Sequence, residues 1–298
     1  MVQRWISDPP PDRLFEITEN SLIGASPKNP DKPKGEVLNE KASSASPSTP
    51  NLTKPQLYRD ALKRSFGTDG KGTGTALVIP DYAVRMAILD FEEFPASEAD
   101  RTALLRFRLR KSVPFHIDEA QLSYSVQLEE PKRIEVLAVA VAHPILHEYE
   151  QLFTDVGYRV GLVAPSSIAA LPLCRDSGKG LTLLAKAAGT ILTVFLLQQG
   201  RVRLVRCLDL AAAAEEGEES TERESVLPIL QQTLAYAEDQ IGEPVGQLLL
   251  CGFGSETDVV GRNVETEFGI PYAPVRSKFG AASRENAGLL GLLEQYEA

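Results

Sequence analysis

The residues best suited to chemistry form a glycine-rich turn late in the chain, Gly252-Phe253-Gly254-Ser255. This turn follows a predicted strand over 247–251 and precedes a predicted helix over 257–268. Backbone N–H groups at a helix start bind anions, because they lack partners within the helix. A strand-to-helix reversal also needs small residues for structural reasons alone. The turn by itself therefore leaves both ligand binding and simple chain reversal open.

A second glycine-rich segment at 67–75, GTDGKGTGT, invites comparison with a phosphate-binding P-loop. In that motif a glycine stands five residues before a Gly-Lys pair, and Ser or Thr follows the lysine. Here the first glycine position is occupied by Ser65, and Lys71 is followed by Gly72. The segment also precedes a predicted strand, whereas a P-loop follows one. We interpret it as a loop between a helix and a strand.

The sequence offers little support for a metal site or a catalytic nucleophile. His143 and His147 are four residues apart, but Pro144 places the first at the helix start, so the two do not share a helix face. The three cysteines at 174, 207 and 251 form no CxxC pair, which disfavours a zinc site and fits a reducing compartment. No GxSxG elbow occurs. We therefore predict no catalytic residue and no metal site.

The elements that must position the turns are organised around residues 181–210, the most apolar part of the chain. The apolar run 181–197 is short for a membrane span, which needs about 20 residues, and it contains Lys186. Gly189 and Gly200 divide it at strand-length intervals. The pattern predicts three antiparallel strands at 181–187, 190–198 and 201–209, and no direct membrane insertion.

Two parts of the chain repeat one order of predicted elements. A strand pair or meander from residue 14 is followed by a helix over 54–66 and a strand over 75–79. The meander from residue 181 is likewise followed by a helix over 226–241 and the strand over 247–251. This order predicts an α/β fold of the actin-like, ribonuclease-H-like type, with two related halves around a cleft.

The corresponding domain prediction has a loose tail at 1–13, a first half at 14–165 and a second half at 166–298. Within the first half we predict a flexible connector at 27–50 and an inserted subdomain at 92–135.

The net charge and composition of the chain reduce the number of function classes that the protein could belong to. The net charge of −10 disfavours nucleic-acid binding, which requires a basic surface. The N-terminal residues contain no apolar signal segment, so we expect a cytoplasmic protein that reaches the membrane through partners.

Ser97-Glu98-Ala99-Asp100 resembles a capping box and predicts a helix to about Ser112. Residues 101–111 of this helix oppose the acidic balance with four arginines and one lysine. It is either a solvated face or a partner surface. In the second case Phe107 and Phe115 are apolar anchors, and Arg108 and Arg110 pair with acidic or backbone groups.

Several stretches together resemble the PilM-type proteins, the cytoplasmic actin-like component of type IV pilus assembly. The most specific is LRFRLRKSVPFHIDEAQLSYSV at 105–126, supported by ALVIPDYAVRMAILDF at 76–91 and LLLCGFGSETDVVGRNVETEFGIPY at 248–272. The resemblance implies a scaffold that binds the N-terminal cytoplasmic peptide of a PilN-like inner-membrane protein near the inserted subdomain. It also implies other pilus assembly proteins as partners, and it leaves self-association open.

The chain departs from this family at both phosphate turns. Where the family commonly has Asp-x-Gly, this chain has FEITENS at 15–21, with Glu16, and AKAAGT at 185–190, with Lys186. Carboxylates hold magnesium beside phosphates, so we expect nucleotide binding to be weakened or lost. If ATP with magnesium still binds, the candidate contacts are Gly189, Thr190, Gly252, Gly254 and Ser255.

Two alternatives to the scaffold therefore stay open. One is a working ATP-binding switch or ATPase of the same fold. The other is the soluble part of a type II secretion inner-membrane protein, which shares the fold.

Overall fold

The computed structural model describes residues 10–67, 70, 72–175, 180–213 and 222–297. Its strands are β1 Arg13–Ile17, β2 Ser21–Ser26, β3 Asn29–Val37, β4 Gly74–Ile79, β5 Arg85–Phe91, β6 Ala120–Glu130, β7 Arg133–Ala142, β8 Arg159–Pro165, β9 Leu181–Ala188, β10 Ile191–Gln198, β11 Arg201–Asp209, β12 Val245–Cys251, β13 Tyr272–Pro274, β14 Arg276–Ser277 and β15 Gly280–Ala281. Its helices are α1 Pro55–Phe66, α2 Glu98–Leu109, α3 His143–Thr154, α4 Ser166–Ala170, α5 Leu210–Ala213, α6 Glu222–Tyr236, α7 Thr257–Phe268 and α8 Ala287–Glu297.

Two five-stranded sheets have the same topology. The first has the order β3-β2-β1-β4-β8 and the second β11-β10-β9-β12-β13. In each sheet three consecutive strands pair antiparallel, and the two remaining strands run parallel to the first of them. Helix α1 precedes β4 as α6 precedes β12. The shared order confirms the predicted α/β, actin-like and ribonuclease-H-like fold class with two related halves.

The apolar segment around which the second half is organised forms the three strands predicted for it, β9, β10 and β11. Strand β10 is buried on both faces: Leu192 and Leu196 pack in one apolar cluster, and Phe195 packs in another. Covering both faces removes this strand from solvent, which accounts for its continuous apolar character. Among the described residues, no helix has the length and apolarity needed to cross a bilayer.

The segment at 27–50 requires a correction. It contains β3, which pairs with β2 in the register Leu22↔Glu36 and forms the outer edge of the first sheet. Farther along, Ala42 is fully buried, and its N–H donates to the Glu19 carbonyl at 2.7 Å. The predicted flexible connector is therefore largely ordered. Its polar, proline-containing composition fits an exposed edge strand, where missing N–H donors cost little.

The predicted tail at 1–13 is tested only at its end. Residues 1–9 lie outside the described part of the chain. Arg13 already belongs to β1, and the Asp12 N–H donates to the Gly74 carbonyl at 2.9 Å.

The inserted subdomain extends beyond the predicted 92–135. Its three-stranded sheet has the order β5-β7-β6, so residues 85–91 and 136–142 belong to it as well. Helix α2 packs on this sheet through Leu105 and Leu109. The side chain of Ser97 accepts a hydrogen bond from the Asp100 N–H, which confirms the predicted helix start. The apolar core of the subdomain is complete only when both flanking strands are counted as part of it.

Helix α8 belongs to a different half from the one predicted by chain order. Leu289 and Leu293 pack with Leu14 of β1 and Val78 of β4, in a cluster that also includes Ala169 of α4. The C-terminal helix and α4 thus cover the first sheet, although both fall in the predicted second half at 166–298. The chain returns to its first half at its end, which places residues from both ends of the sequence at the junction between the halves.

Candidate functional site

The two glycine turns predicted to meet a nucleotide do come together. Strand β12 runs parallel to β9 with Cys251 opposite Lys186, so the turn after β12 lies beside the β9–β10 turn that contains Gly189 and Thr190. Gly252 has a φ of 80°, and a Cβ at its position would lie 2.1 Å from the Ala187 carbonyl oxygen. The backbones are packed closely enough to require glycine at 252. Gly254 and Ser255 continue into a 3-10 turn before α7 and are exposed.

The first half faces these turns with a carboxylate. A Cβ at Gly189 would lie 3.6 Å from a carboxylate oxygen of Glu19, which follows β1. Glu19 forms an ion pair with Lys41 at 2.7 Å. A negative group close to Gly189 disfavours a phosphate at this turn, because like charges repel.

Below the turns lies a buried polar group that we call the junction cluster: Glu16, Asp81, Ser166, Ser167, Lys186 and Thr193. Its three charged residues are almost completely buried, with exposed fractions of 0% for Glu16, 4% for Asp81 and 1% for Lys186. Glu16 and Asp81 come from the first half, while Lys186 and Thr193 come from strands of the second sheet. Buried charges require partners, and each of these has them.

Asp81 is held from three sides. Pro80 ends β4 and Asp81 begins a short 3-10 turn, which directs its carboxylate toward the second half. Its Oδ1 accepts a hydrogen bond from the Ser167 N–H at 2.7 Å. Its Oδ2 accepts one from Thr193 Oγ1 at 3.0 Å and lies 3.4 Å from the Lys186 ammonium.

Glu16 makes a second set of bonds, to the two helices that cover the first sheet. Ser166 Oγ donates to its Oε1, and the Leu289 N–H of α8 donates to its Oε2 at 2.7 Å. Burial raises the pKa of the Glu16 carboxyl to about 7, although Lys186, Ser166 and the backbone of 288–289 act to lower it.

Lys186 stays a cation despite complete burial. Burial alone acts to lower its pKa, but Asp81, Cys251 and Glu16 outweigh that effect and raise the pKa above its usual value.

The junction cluster does not fit a magnesium–nucleotide group. All four carboxylate oxygens of Glu16 and Asp81 already accept bonds from protein donors, and magnesium demands oxygen ligands that are free to coordinate it. Lys186 places an ammonium where the resemblance implies a carboxylate turn. Within the described residues, no group of three or more His, Cys, Asp or Glu residues is arranged to hold a metal.

A separate cavity of about 760 Å³ lies between the first half and the inserted subdomain. One wall is the subdomain sheet, where alternate residues of β6 present polar side chains and β7 presents Leu137, Val139 and Val141. The opposite wall is β8, all of whose residues from 160 to 165 line the cavity. The floor includes Ile168 of α4 and Leu292 of α8. The cavity is therefore mainly apolar, with a polar row along β6.

Both strands that bound this cavity are sheet edges. Strand β8 pairs only with β4, and β6 pairs only with β7, among the strands that the structure describes. Their outer N–H and C=O groups are available to an added strand. Gly161 of β8 is exposed, and a Cβ at this position would meet nothing within 4 Å.

The four predicted partner-binding residues lie elsewhere, on or just after α2. Phe107 is 70% exposed. Arg108 donates to the Asp90 carbonyl at 3.2 Å and stacks over the Phe91 ring, while Arg110 pairs with Asp118 at 3.0 Å. Phe115 packs against the subdomain core. None of the four lines the 760 Å³ cavity, so the subdomain has two distinct candidate surfaces.

Asp81, Ser166 and Ser167 were not predicted as site residues. Each directly follows a strand end marked by proline, in Ile79-Pro80-Asp81 and Pro165-Ser166-Ser167. Polar residues at the carboxyl ends of parallel strands β4 and β8 meet at one sheet edge, and this was the available signal.

Comparison with known proteins shows the fold. No family model matches the chain, and no curated protein matches it. Among solved structures, it is similar to the "PilM-PilN type IV pilus biogenesis complex", with a TM-score of 0.72 and 16% identity over 96% of this chain and 98% of that one. It is also similar to a Bacteroides thetaiotaomicron protein with an actin-like ATPase fold and unknown function, with a TM-score of 0.56 and 12% identity over 93% and 94% of the two chains. The fold is actin-like.

Proposed function

We propose that this protein is a cytoplasmic adaptor of a type IV pilus or related secretion assembly machine. It binds the N-terminal cytoplasmic peptide of a PilN-like inner-membrane protein in the 760 Å³ cavity, which holds it at the inner face of the membrane. The observation that carries this proposal is the pair of unpaired strand edges on either side of an apolar cavity. The fold similarity to a PilM–PilN complex supports the choice of partner.

Strand addition explains how such a cavity recognises a peptide. An extended segment bonds through its backbone to a free strand edge, and alternate side chains enter pockets that set specificity. Here Val139, Val141 and Leu292 offer apolar contacts, while Ser123 and Ser125 of β6 offer hydroxyl groups. We expect an extended peptide with apolar residues at alternate positions.

The charges on the cavity wall favour a basic peptide. Glu129 and Glu150 line the cavity together with a single arginine, Arg201. Short cytoplasmic segments beside membrane helices are rich in lysine and arginine. An acidic wall therefore complements the juxtamembrane segment of an inner-membrane partner, and it also speeds their encounter.

We further propose that nucleotide binding is weakened or lost, so the protein acts as a scaffold. The carboxylate oxygens of Glu16 and Asp81 are engaged by protein donors, and Glu19 faces Gly189. The alternative, an ATP-binding switch or ATPase, requires these bonds to break and requires Lys186 to leave its position. Titration with ATP, with and without magnesium, separates the two.

The exposed α2 surface is proposed as a second contact, for other assembly proteins. Phe107 is one of two large apolar side chains that are strongly exposed among the described residues, and Arg110 and Lys111 beside it are exposed cations. A large apolar side chain among cations suits a partner surface that buries the apolar side chain and presents acidic groups to the cations.

The test is calorimetric titration with a synthetic peptide of the N-terminal cytoplasmic residues of a PilN-like protein from the same organism. Gly161→Trp adds a large side chain where a Cβ has open space, so it should weaken binding about tenfold or more without lowering the melting temperature. Phe107→Glu is the matched control on α2 and should leave peptide affinity unchanged. Loss of affinity in Phe107→Glu alone would move the peptide site to α2, and no binding to the unaltered protein would overturn the proposal.

A further inference from the structure

We infer that the Lys186–Asp81 ion pair, together with the Thr193–Asp81 hydrogen bond, holds the two halves in one relative arrangement without a ligand. The lysine ammonium is an internal cation, covalently part of the chain, at a position where the resemblance implies a carboxylate turn. This inference concerns the junction between the halves and does not depend on peptide binding in the cavity.

Two contacts of the junction cluster cross from the first half to the second. Asp81 of the first half is bonded to Lys186 and Thr193 of the second sheet. The bonds of Glu16 of β1 to Ser166 of α4 and to the backbone of Leu289 in α8 lie within the first half, since both helices cover the first sheet. Segments separated by up to 273 residues along the chain meet within one buried cluster. A change in the angle between the halves must separate Asp81 from Lys186 and Thr193.

Separating them is costly because they are buried. Removing one member of a buried ion pair leaves an uncompensated charge in a medium of low dielectric. Opening the junction must therefore expose Lys186 and Asp81 to water together or leave each without its partner. A surface ion pair such as Arg64–Glu36, at 2.6 Å within the first half, imposes no comparable constraint.

An internal cation also differs from a bound ligand in its dependence on concentration. A ligand stabilises the state that it binds in proportion to the logarithm of its concentration. Lys186 and Asp81 are always present together at the junction. The arrangement of the halves should therefore be constant across nucleotide concentrations.

The test measures the distance between the halves with spin labels on cysteines introduced at Lys63 of α1 and Glu265 of α7, both exposed. Burial raises the pKa of the native thiols at 174 and 207 to about 12 and at 251 to about 11, so these thiols react slowly with the label. We expect one narrow distance distribution, unchanged by millimolar ATP and magnesium.

Two variants test the role of the ion pair itself. Lys186→Met should broaden or shift the distribution, and Arg64→Met should not. The double variant Lys186→Met/Asp81→Asn carries no unpaired buried charge, so it should regain melting temperature while its distribution stays broader than that of the unaltered protein. A double variant with the original narrow distribution would overturn the inference, as would a shift of the unaltered protein on addition of ATP and magnesium. If Lys186→Met alone does not fold, the double variant decides.

Discussion

The ammonium of Lys186 lies 3.4 Å from Oδ2 of Asp81, although 105 positions separate the two residues along the chain. Both side chains are almost inaccessible to solvent. Their contact joins β9 of the second half to the end of β4 in the first half, at a depth where an unpaired charge is strongly unfavourable.

Replacing Lys186 by methionine should therefore destabilise the protein by about 3–5 kcal/mol, the range for one member of a buried pair. Adding Asp81→Asn removes the negative charge that is left without a partner, and it should restore much of the lost free energy of unfolding. Denaturant unfolding of the unaltered protein, both single variants and the double variant gives the coupling free energy. Additive losses in the double variant would show that the two side chains do not interact in the folded state.

The pH dependence of stability should report on Glu16. Its pKa is raised from 4.5 to about 7 in the folded state, chiefly by burial, so the folded protein holds this proton more tightly than the unfolded chain does. Stability from this group is greatest below pH 4.5, falls as the pH rises toward 7, and is constant above that. The total change is on the order of 3 kcal/mol.

Glu16→Gln keeps an acceptor for the Leu289 N–H and removes the titration. Its unfolding free energy should therefore decline less than that of the unaltered protein between pH 4.5 and 7, when both are measured by urea unfolding at several pH values. Parallel curves for the two proteins would show that Glu16 does not titrate in this range.

Two glycines of the turn after β12 should respond differently to alanine. At Gly252 the added Cβ would lie 2.1 Å from the Ala187 carbonyl oxygen, so the backbones must move apart. At Gly254 the φ of 57° is strained for alanine, but nothing lies within 4 Å of the Cβ position. We expect a loss of about 1–2 kcal/mol for Gly254→Ala and a larger one for Gly252→Ala, measured as free energies of unfolding. The reverse order would contradict the close packing of the turn on β9.

Arg108→Glu addresses the α2 surface. The substitution removes the bond to the Asp90 carbonyl and the stacking on Phe91. Because Arg108 is exposed, stability should fall by no more than about 1 kcal/mol. Capture of other assembly proteins should weaken, while peptide titration should not change. Phe107→Ser should weaken the same capture with no effect on stability, because Phe107 is 70% exposed. If both variants capture the assembly proteins as well as the unaltered protein does, this face of α2 is a solvated surface and not a partner surface.

ATP should not change the melting temperature of the unaltered protein. A ligand at a hundred times its dissociation constant adds about 2.7 kcal/mol to stability, which a melting curve detects readily. We expect no shift with ATP and magnesium at millimolar concentration. A shift that depends on magnesium and disappears in Gly254→Ala would instead support an ATP-binding switch.

Local patterns in the sequence were sufficient where neighbouring residues decide the structure. The apolar strands β9–β11 and the helix start at Ser97 follow from periodicity and capping over a few residues. Strand β3 was largely missed because its stability comes from pairing with β2, and its own residues are mostly exposed and polar.

The candidate site was harder to predict for the same reason. Lys186 stands out in an apolar strand, but nothing near it in sequence points to Asp81 as its partner. The cavity, likewise, exists only where β6 and β8 face each other across the fold. Both features depend on contacts between distant segments, which periodicity within a short window does not reveal.

The outer edge of the first sheet has a consequence for how many partners one molecule engages. Strand β3 contains Pro30 and Pro33, which lack N–H donors, with Lys32 between them. At the far end of the second sheet, β13 is only three residues long. Neither edge is suited to recruit another strand, whereas β6 and β8 share a single cavity. Under the proposed function we therefore expect one peptide per chain, because the β6 and β8 edges open onto the same cavity.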